Sequence, residues 1–192
     1  MKKFELTTES KINIFGNKLF RIKALISFGN VKEGDTGGWV EKEENLSHSG
    51  NAWVCGNAEV YGDAWVCGNA RVYGNVEVCG NAWVHGDAWV YGDARVYGNA
   101  RVYGDARVCG NAEVCGNADY ATIHGFGTQF RTTTFFRCKD KQVRVRCGCF
   151  FGTIPKFREQ VKKTREGKIA EEYLMIADLM EKHFTEERES GE

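Results

Sequence analysis

Residues 87–104 read DAWVYGDARVYGNARVYG, three nearly identical six-residue words in succession. Around them valine recurs at every sixth position without a gap: Val54, Val60, Val66, Val72, Val78, Val84, Val90, Val96, Val102, Val108 and Val114. Two residues before each stands alanine, replaced once by Val76. The order small residue, variable residue, valine is the alternation of a short strand with both apolar members on one face. Each word closes on glycine followed by Asn or Asp, from Gly50-Asn51 to Gly116-Asn117, and these residues accept the left-handed backbone of a corner. A strand this short cannot bury its own face. Like words must therefore stack, and the array predicts a parallel β-solenoid whose two ends need covers. A pentapeptide prism would require period five, which the sequence never shows.

An aliphatic residue that opens each hexad with a small one four places on, as in Val54 and Ala58 or Val90 and Ala94, resembles the hexapeptide-repeat family of left-handed β-helices. The resemblance covers about residues 38–128. It implies left-handed coils of three hexads, so that residues 18 apart lie above one another. The lead-in VKEGDTGGWVEKEENLSHSGNAWV, entering the array through Val40 and Leu46, resembles that of bacterial and phage-type members, many labelled acyltransferases. Fold does not fix function, and that label is an analogy.

With 18-residue stacking, one outward column reads Trp53, Arg71, Trp89, Arg107, a second Trp65, Trp83, Arg101, Asp119, and a third Glu59, Glu77, Arg95, Glu113. Alternating rings and guanidinium groups suit cation–π contacts. Such columns either bind a partner or merely stabilise neighbouring coils. The other outward slot holds Cys55, Cys67, Cys79, Cys109 and Cys115, each stacked on Tyr or His rather than on another cysteine. That excludes a disulfide ladder between adjacent coils, and no metal-ligand set converges.

Upstream, KINIFGNKLFRIKALISFG predicts a β-hairpin turning at FGNK, with Phe20, Ile22, Ala24 and Ile26 alternating, that caps the first coil. After the array the valine slot passes to Tyr120 and Phe126, expected to plug the last coil. TTFFRCKDKQVRVRCGCFFGT then predicts a hairpin with Val143, Val145, Cys147, Cys149 and Phe151 on one face and Arg144 and Arg146 on the other. Cys138, Cys147 and Cys149 invite comparison with zinc ligands, but sharing a face with valines favours buried thiols. Thr153 and Pro155 open a helix running to about Arg165. Gly167 separates it from a second, with Ile169, Tyr173, Ile176, Met180 and Phe184 on one side. The expected organisation is a hairpin cap over 1–37, a solenoid over 38–128, a basic β-hairpin and two-helix module over 129–184, and a disordered acidic tail over 185–192. The class is mainly β.

The 26 basic and 26 acidic residues balance, so bulk charge gives no argument for nucleic acid or membrane. The distribution does not balance. Residues 129–168 hold twelve basic residues against three acidic, and residues 169–192 eight acidic against two basic. Arg131, Arg137, Lys139, Lys141, Arg144, Arg146, Lys156, Arg158, Lys162, Lys163, Arg165 and Lys168 predict an anion-binding surface, unless the acidic last helix packs alongside and neutralises it.

MKKFELTTES has no apolar run of signal-peptide length and no stretch approaches a membrane span, so a cytoplasmic chain is expected. His85 interrupts the Cys/Tyr slot and is the one candidate general base. It has no recognisable orienting carboxylate and no cleft-forming loop. His48, His124 and His183 lie outside the array and do not form a three-histidine metal site. The expectation is a non-enzymatic, cofactor-free binding or assembly protein, homo-oligomeric through its solenoid faces. Its recognition surface would be the basic module (Arg131, Arg137, Arg144, Arg146, Lys156, Arg158), the columns (Trp65, Trp83, Arg101; Trp89, Arg107), or a groove between them. The partner would be a host protein or a small nucleotide-like anion, with nucleic acid a weaker candidate, in keeping with phage-type interference with a host system. An acyl-coenzyme A transferase and a purely structural element are the alternatives.

Overall fold

A computed structural model describes residues 1–186. The chain forms a parallel β-solenoid of about 4 turns with a C-terminal two-helix module. A hairpin, β1 (Phe4–Ile12) and β2 (Lys18–Ala24), leads to β3 (Thr36–Val40). The prism follows with β4 (Trp53–Gly56), β5 (Glu59–Val60), β6 (Trp65–Val66), β7 (Arg71–Gly74), β8 (Glu77–Val78), β9 (Trp83–Val84), β10 (Trp89–Gly92), β11 (Arg95–Val96), β12 (Arg101–Val102), β13 (Arg107–Val108) and β14 (Glu113–Val114). Three sheets make its sides: β4-β7-β10-β13, β6-β9-β12, and β3-β5-β8-β11-β14 extended by the hairpin. Val54, Val72, Val90 and Val108 stand in register, each 18 residues from the next, and all are fully buried.

Six-residue words make such short strands because each corner glycine from Gly50 to Gly110 takes positive φ, whereas Gly116, where the chain leaves the prism, is extended. At Gly74, with φ +93, a Cβ would meet the Gly92 carbonyl oxygen at 2.8 Å. The residue after each glycine adds a ladder that the hexad pattern does not announce. Asn51 Nδ2 donates to Asn69 Oδ1 at 3.1 Å, and Asn69 Nδ2 to Asp87 Oδ1 at 3.0 Å. Asn57, Asn75 and Asp93 repeat this at the next corner.

The coils are joined by parallel ladders, with Trp53 N donating to Ala70 O and Trp89 N to Ala106 O among their bonds, and parallel pairing uses the N–H and C=O groups of both strands. The first and last coils therefore each leave backbone groups with no neighbouring coil to pair them. Side chains close both. At the first edge the buried Lys3 ammonium donates to Ala52 O at 2.8 Å, Arg21 Nη1 to Gly56 O at 3.0 Å, and buried Asn45 Nδ2 to Ala64 O at 2.8 Å. At the other, Arg107 N donates to Thr134 Oγ1, Arg101 N to Asn117 Oδ1, and Cys115 N to Asp119 Oδ2. Donors and acceptors serve at both ends, since Gly62 N donates to Glu41 Oε2 at the first edge and Tyr120 Oη donates to Arg101 O at the last.

The lead-in coil pairs Val40 with Val60 and Leu46 with Val66, an offset of 20 instead of 18. Phe4, Ile22 and Ala24 of the hairpin join the first coil's core, whereas Leu19 packs with Trp39 and Tyr61 in a separate cluster.

At the far end the chain forms an antiparallel sheet, β15 (Tyr120–Phe126), β16 (Arg131–Arg137), β17 (Val143–Cys147) and β18 (Phe150–Thr153), then α1 (Ile154–Thr164) and α2 (Gly167–Glu186). Three expectations need correction here. Asp119 does not extend its column, because the chain leaves the prism in a short 3-10 turn and its carboxylate caps Cys115 and Gly116. Phe126 does not plug the last coil. It packs with the helices, and the plug is Tyr120, Phe136 and Cys138. Cys149 and Phe151 do not share the Val143/Val145 face, since the chain turns after Cys147. Cys149 is exposed there, and Phe151 pairs with Arg146.

β16 is buried on both sides: Phe136 in the solenoid core, Phe135 against Val145, Phe157 and Ile176. Thr153 caps α1, and Tyr173, Ile176, Met180 and Phe184 are the buried side of α2. Thr185 and Glu186 continue that helix. The remainder of the expected tail, 187–192, lies outside the described residues. No helix among the described residues is long and apolar enough to cross a membrane.

Burial pushes the Cys138 thiol up to about 12. Its proton-bound form supports the fold fully below the unfolded value near pH 9 and loses that support as pH rises towards 12. The stability advantage of wild type over Cys138→Ala in urea titrations is expected to shrink by roughly 2 kcal/mol between about pH 9 and about pH 10.5. An unchanged advantage would mean the thiol ionises in place.

Candidate anion-binding face

The face made by β4, β7, β10 and β13 carries two outward columns. One is Trp53, Arg71, Trp89, Arg107, in register as the spacing required, and the other Cys55, Tyr73, Tyr91, Cys109. The Arg71 guanidinium lies 5.4 Å from the Trp89 ring and Arg107 5.2 Å from the same ring. Tyr73 and Tyr91 stack at 5.1 Å with 2° between their planes. The indole thus has a guanidinium on either side. Its role is to order the two cations rather than to offer a stacking surface.

A third guanidinium reaches this face from the C-terminal sheet. The charge of Arg146 acts on Tyr73, Tyr91 and Cys109, and its Nε is buried without a hydrogen-bond partner. Among the described residues no carboxylate forms an ion pair with Arg71, Arg107 or Arg146. Burial raises Tyr91 to about 12 and raises Cys55, Cys109 and Tyr73, so these neighbours stay neutral at pH 7 and the arginines set the sign of the field.

Two hollows lie along this face. The upper, about 460 Å³, is bounded by Trp53, Arg71, Tyr73 and Trp89 on the prism and by Val31 and Asp35 of the loop before β3. Phe28, edge-on to Trp53 at 5.5 Å, anchors that loop. The lower, about 510 Å³, holds Asp105, Arg107, His124, Phe130 and Arg131. Arg107 therefore belongs to the lower hollow while packing on the indole that walls the upper one.

The other site residues are placed differently. Glu77 pairs with Arg95 at 2.9 Å, Tyr97 donates to Glu113 at 3.1 Å and Tyr61 donates to Glu77, so that face satisfies itself. On the β6-β9-β12 face Trp65 and Trp83 meet edge to face at 5.3 Å, Arg101 lies 4.8 Å from Trp83, and His85 stacks on Tyr103 at 5.5 Å. In the module, Arg137 pairs with Asp119 at 3.2 Å and donates to Phe184 O, and Arg144 pairs with Asp140. Arg158 is held by Asp178 at 2.7 Å and Glu181 at 2.6 Å of the acidic helix. Lys156 is exposed on the first turn of α1. The single basic surface expected from composition is thus divided, with Arg131 and Arg146 directed to the prism face. Cys138 and Cys147 belong to different apolar clusters and Cys149 to an exposed turn. His48 accepts from Lys3 N at 3.1 Å and contacts Glu43 at 2.6 Å beside the N-terminal edge, far in sequence from His124 on β15 and His183 on α2.

Residues 94–110 match the family described as YdcK Beta solenoid repeat. No curated protein matches the chain. The matched segment is Ala94 to Gly110, from the middle to the last coil, and includes Arg107.

Proposed function

We propose that this is a non-enzymatic binding protein that holds a small, nucleotide-like anion against the Arg71/Arg107 face. The observation that carries the reading is the set of three guanidinium groups, Arg71 and Arg107 packed on Trp89 and Arg146 acting on Tyr73 and Tyr91, without an ion-paired carboxylate among the described residues. Arg71 and Arg107 flank one indole without a counter-ion among the described residues, and an anionic ligand there gains charge-assisted hydrogen bonds. The reading combines two of the surfaces expected from sequence into the groove between them. It also suits phage-type capture of a host nucleotide signal, and Trp65 and Trp83 remain the surface for a protein partner or a second copy.

Adenosine 5′-monophosphate is the probe. Calorimetry is expected to show saturable binding that weakens with salt, while adenosine binds at least about tenfold more weakly. Arg71→Gln with Arg107→Gln should cost at least a further factor of about ten. Equal affinity for adenosine and its monophosphate, or an unaffected double variant, overturns the reading. The hexad spacing supports a likeness to hexapeptide-repeat left-handed β-helices and so keeps an acyl-coenzyme A transferase as its competitor. A thermal shift with acetyl-coenzyme A that vanishes in His85→Ala favours that competitor.

A further inference from the structure

The lower hollow has features that a single phosphate at Arg71 and Arg107 leaves unused. The Arg131 Nη1 lies over Gly148, where a Cβ would meet it at 2.6 Å and where φ is +57, so glycine leaves the space the guanidinium occupies. His124 Nδ1 lies 3.0 Å from Thr132 Oγ1, which fixes the ring's orientation. Phe130, at φ +47 and 65% exposed, presents a ring at the rim. Bases stack readily on such rings. Asp105 lines the same hollow, and Asp35 lines the upper one.

Arg71 and Arg107 are two coils apart, roughly 10 Å at the spacing of paired strands, and Arg131 lies beyond Arg107. One phosphate cannot engage all three. Three guanidinium groups in succession offer two phosphate positions, no further Lys or Arg among the described residues lines either hollow, and the aspartates in the linings disfavour additional phosphates. We infer that the ligand is a linear dinucleotide, one phosphate at Arg71 and Arg107 and the second between Arg107 and Arg131, with a base on Phe130. This rests on the anion-binding reading and narrows its ligand.

The test compares adenosine 5′-monophosphate, 5′-phosphorylated diadenylate and the corresponding tetraadenylate on wild type, Arg131→Gln and Phe130→Ala, all with unchanged thermal midpoints. The dinucleotide is expected to bind at least about tenfold more tightly than the monophosphate. Either substitution should remove that gain and leave monophosphate affinity within about twofold. No gain over the monophosphate, a gain that survives both substitutions, or a further comparable gain for the tetranucleotide overturns the inference while the anion-binding reading stands. Absence of monophosphate binding, with no effect of Arg71→Gln and Arg107→Gln on any of the three probes, defeats the reading itself.

Discussion

Phe136→Ala is expected to cost about 3–5 kcal/mol, the range for deleting a fully buried phenylalanine, and to unpin the last coil before the rest of the prism. The side chain is fully buried in the solenoid core beside Tyr120 and Cys138, and its ring lies 6.3 Å from that of Phe151. Every interior valine column has a neighbouring coil on each side except at the ends, where the plug stands in for the missing coil. In a one-dimensional array the loss is therefore local. Amide exchange should accelerate first at Arg95 and Tyr97, which donate to Ala112 and Val114 of the last coil, while Trp53, which donates to Ala70, stays protected. Phe126→Ala gives the contrast, because its ring packs with the helices and its loss should loosen the module without exposing those amides. A uniform loss of protection along the prism in Phe136→Ala would mean the array unfolds as one unit.

The prism itself is legible because its cause is periodic: Ala, Val and Gly recur at fixed offsets, and each requirement is met within one word. Its ends are not, because their caps come from far along the chain. Lys3 reaches Ala52, and Thr134 reaches the Arg107 amide. Nothing in the local sequence around Lys3 signals a buried ammonium, which forms only once the first coil's Ala52 carbonyl exists to receive it. β16 fails for a related reason. TTTFF shows no alternation because both its faces are covered, Phe135 by the helices and Phe136 by the last coil. The site divides along the same line. The register of Arg71, Trp89 and Arg107 follows from spacing alone, whereas the arrival of Arg146 and Arg131 at that face depends on how the module docks. Composition correctly marked both residues as basic. It could not separate them from Arg158, which α2 neutralises, or from Arg144, which Asp140 holds.

Docking direction can be changed without changing the interior. Residues Asp93 to Gly98 are one complete word, DARVYG, and their deletion is expected to leave a folded prism whose C-terminal module sits a third of a turn away. Valine follows valine in the core, so the buried surface per coil is preserved. Arg101 takes the place of Arg95 beneath Glu77, and Arg107 takes that of Arg101 beneath Trp83. The ion pair and one cation–π contact are thereby rebuilt. Only the binding face is broken: Glu113 arrives under Trp89, opposite Arg71, and Arg146 and Arg131 leave with the module. The far-ultraviolet β spectrum should persist with a thermal midpoint lowered by no more than about 10 °C, the scale of a few kcal/mol in a chain this size. Affinity for adenosine 5′-monophosphate should fall by a factor of about thirty or more, because Arg107 and Arg146 leave the face and a carboxylate is introduced. Deleting residues 75–92, a whole coil, removes Trp89 but sets Arg107 directly beneath Arg71 with the module still on their side, and should cost less affinity than the six-residue deletion despite removing three times as much chain. If the shorter deletion binds as well as wild type, the ligand does not lie on this face. If it fails to fold, the words are not interchangeable and their outer residues contribute more to stability than their valines imply.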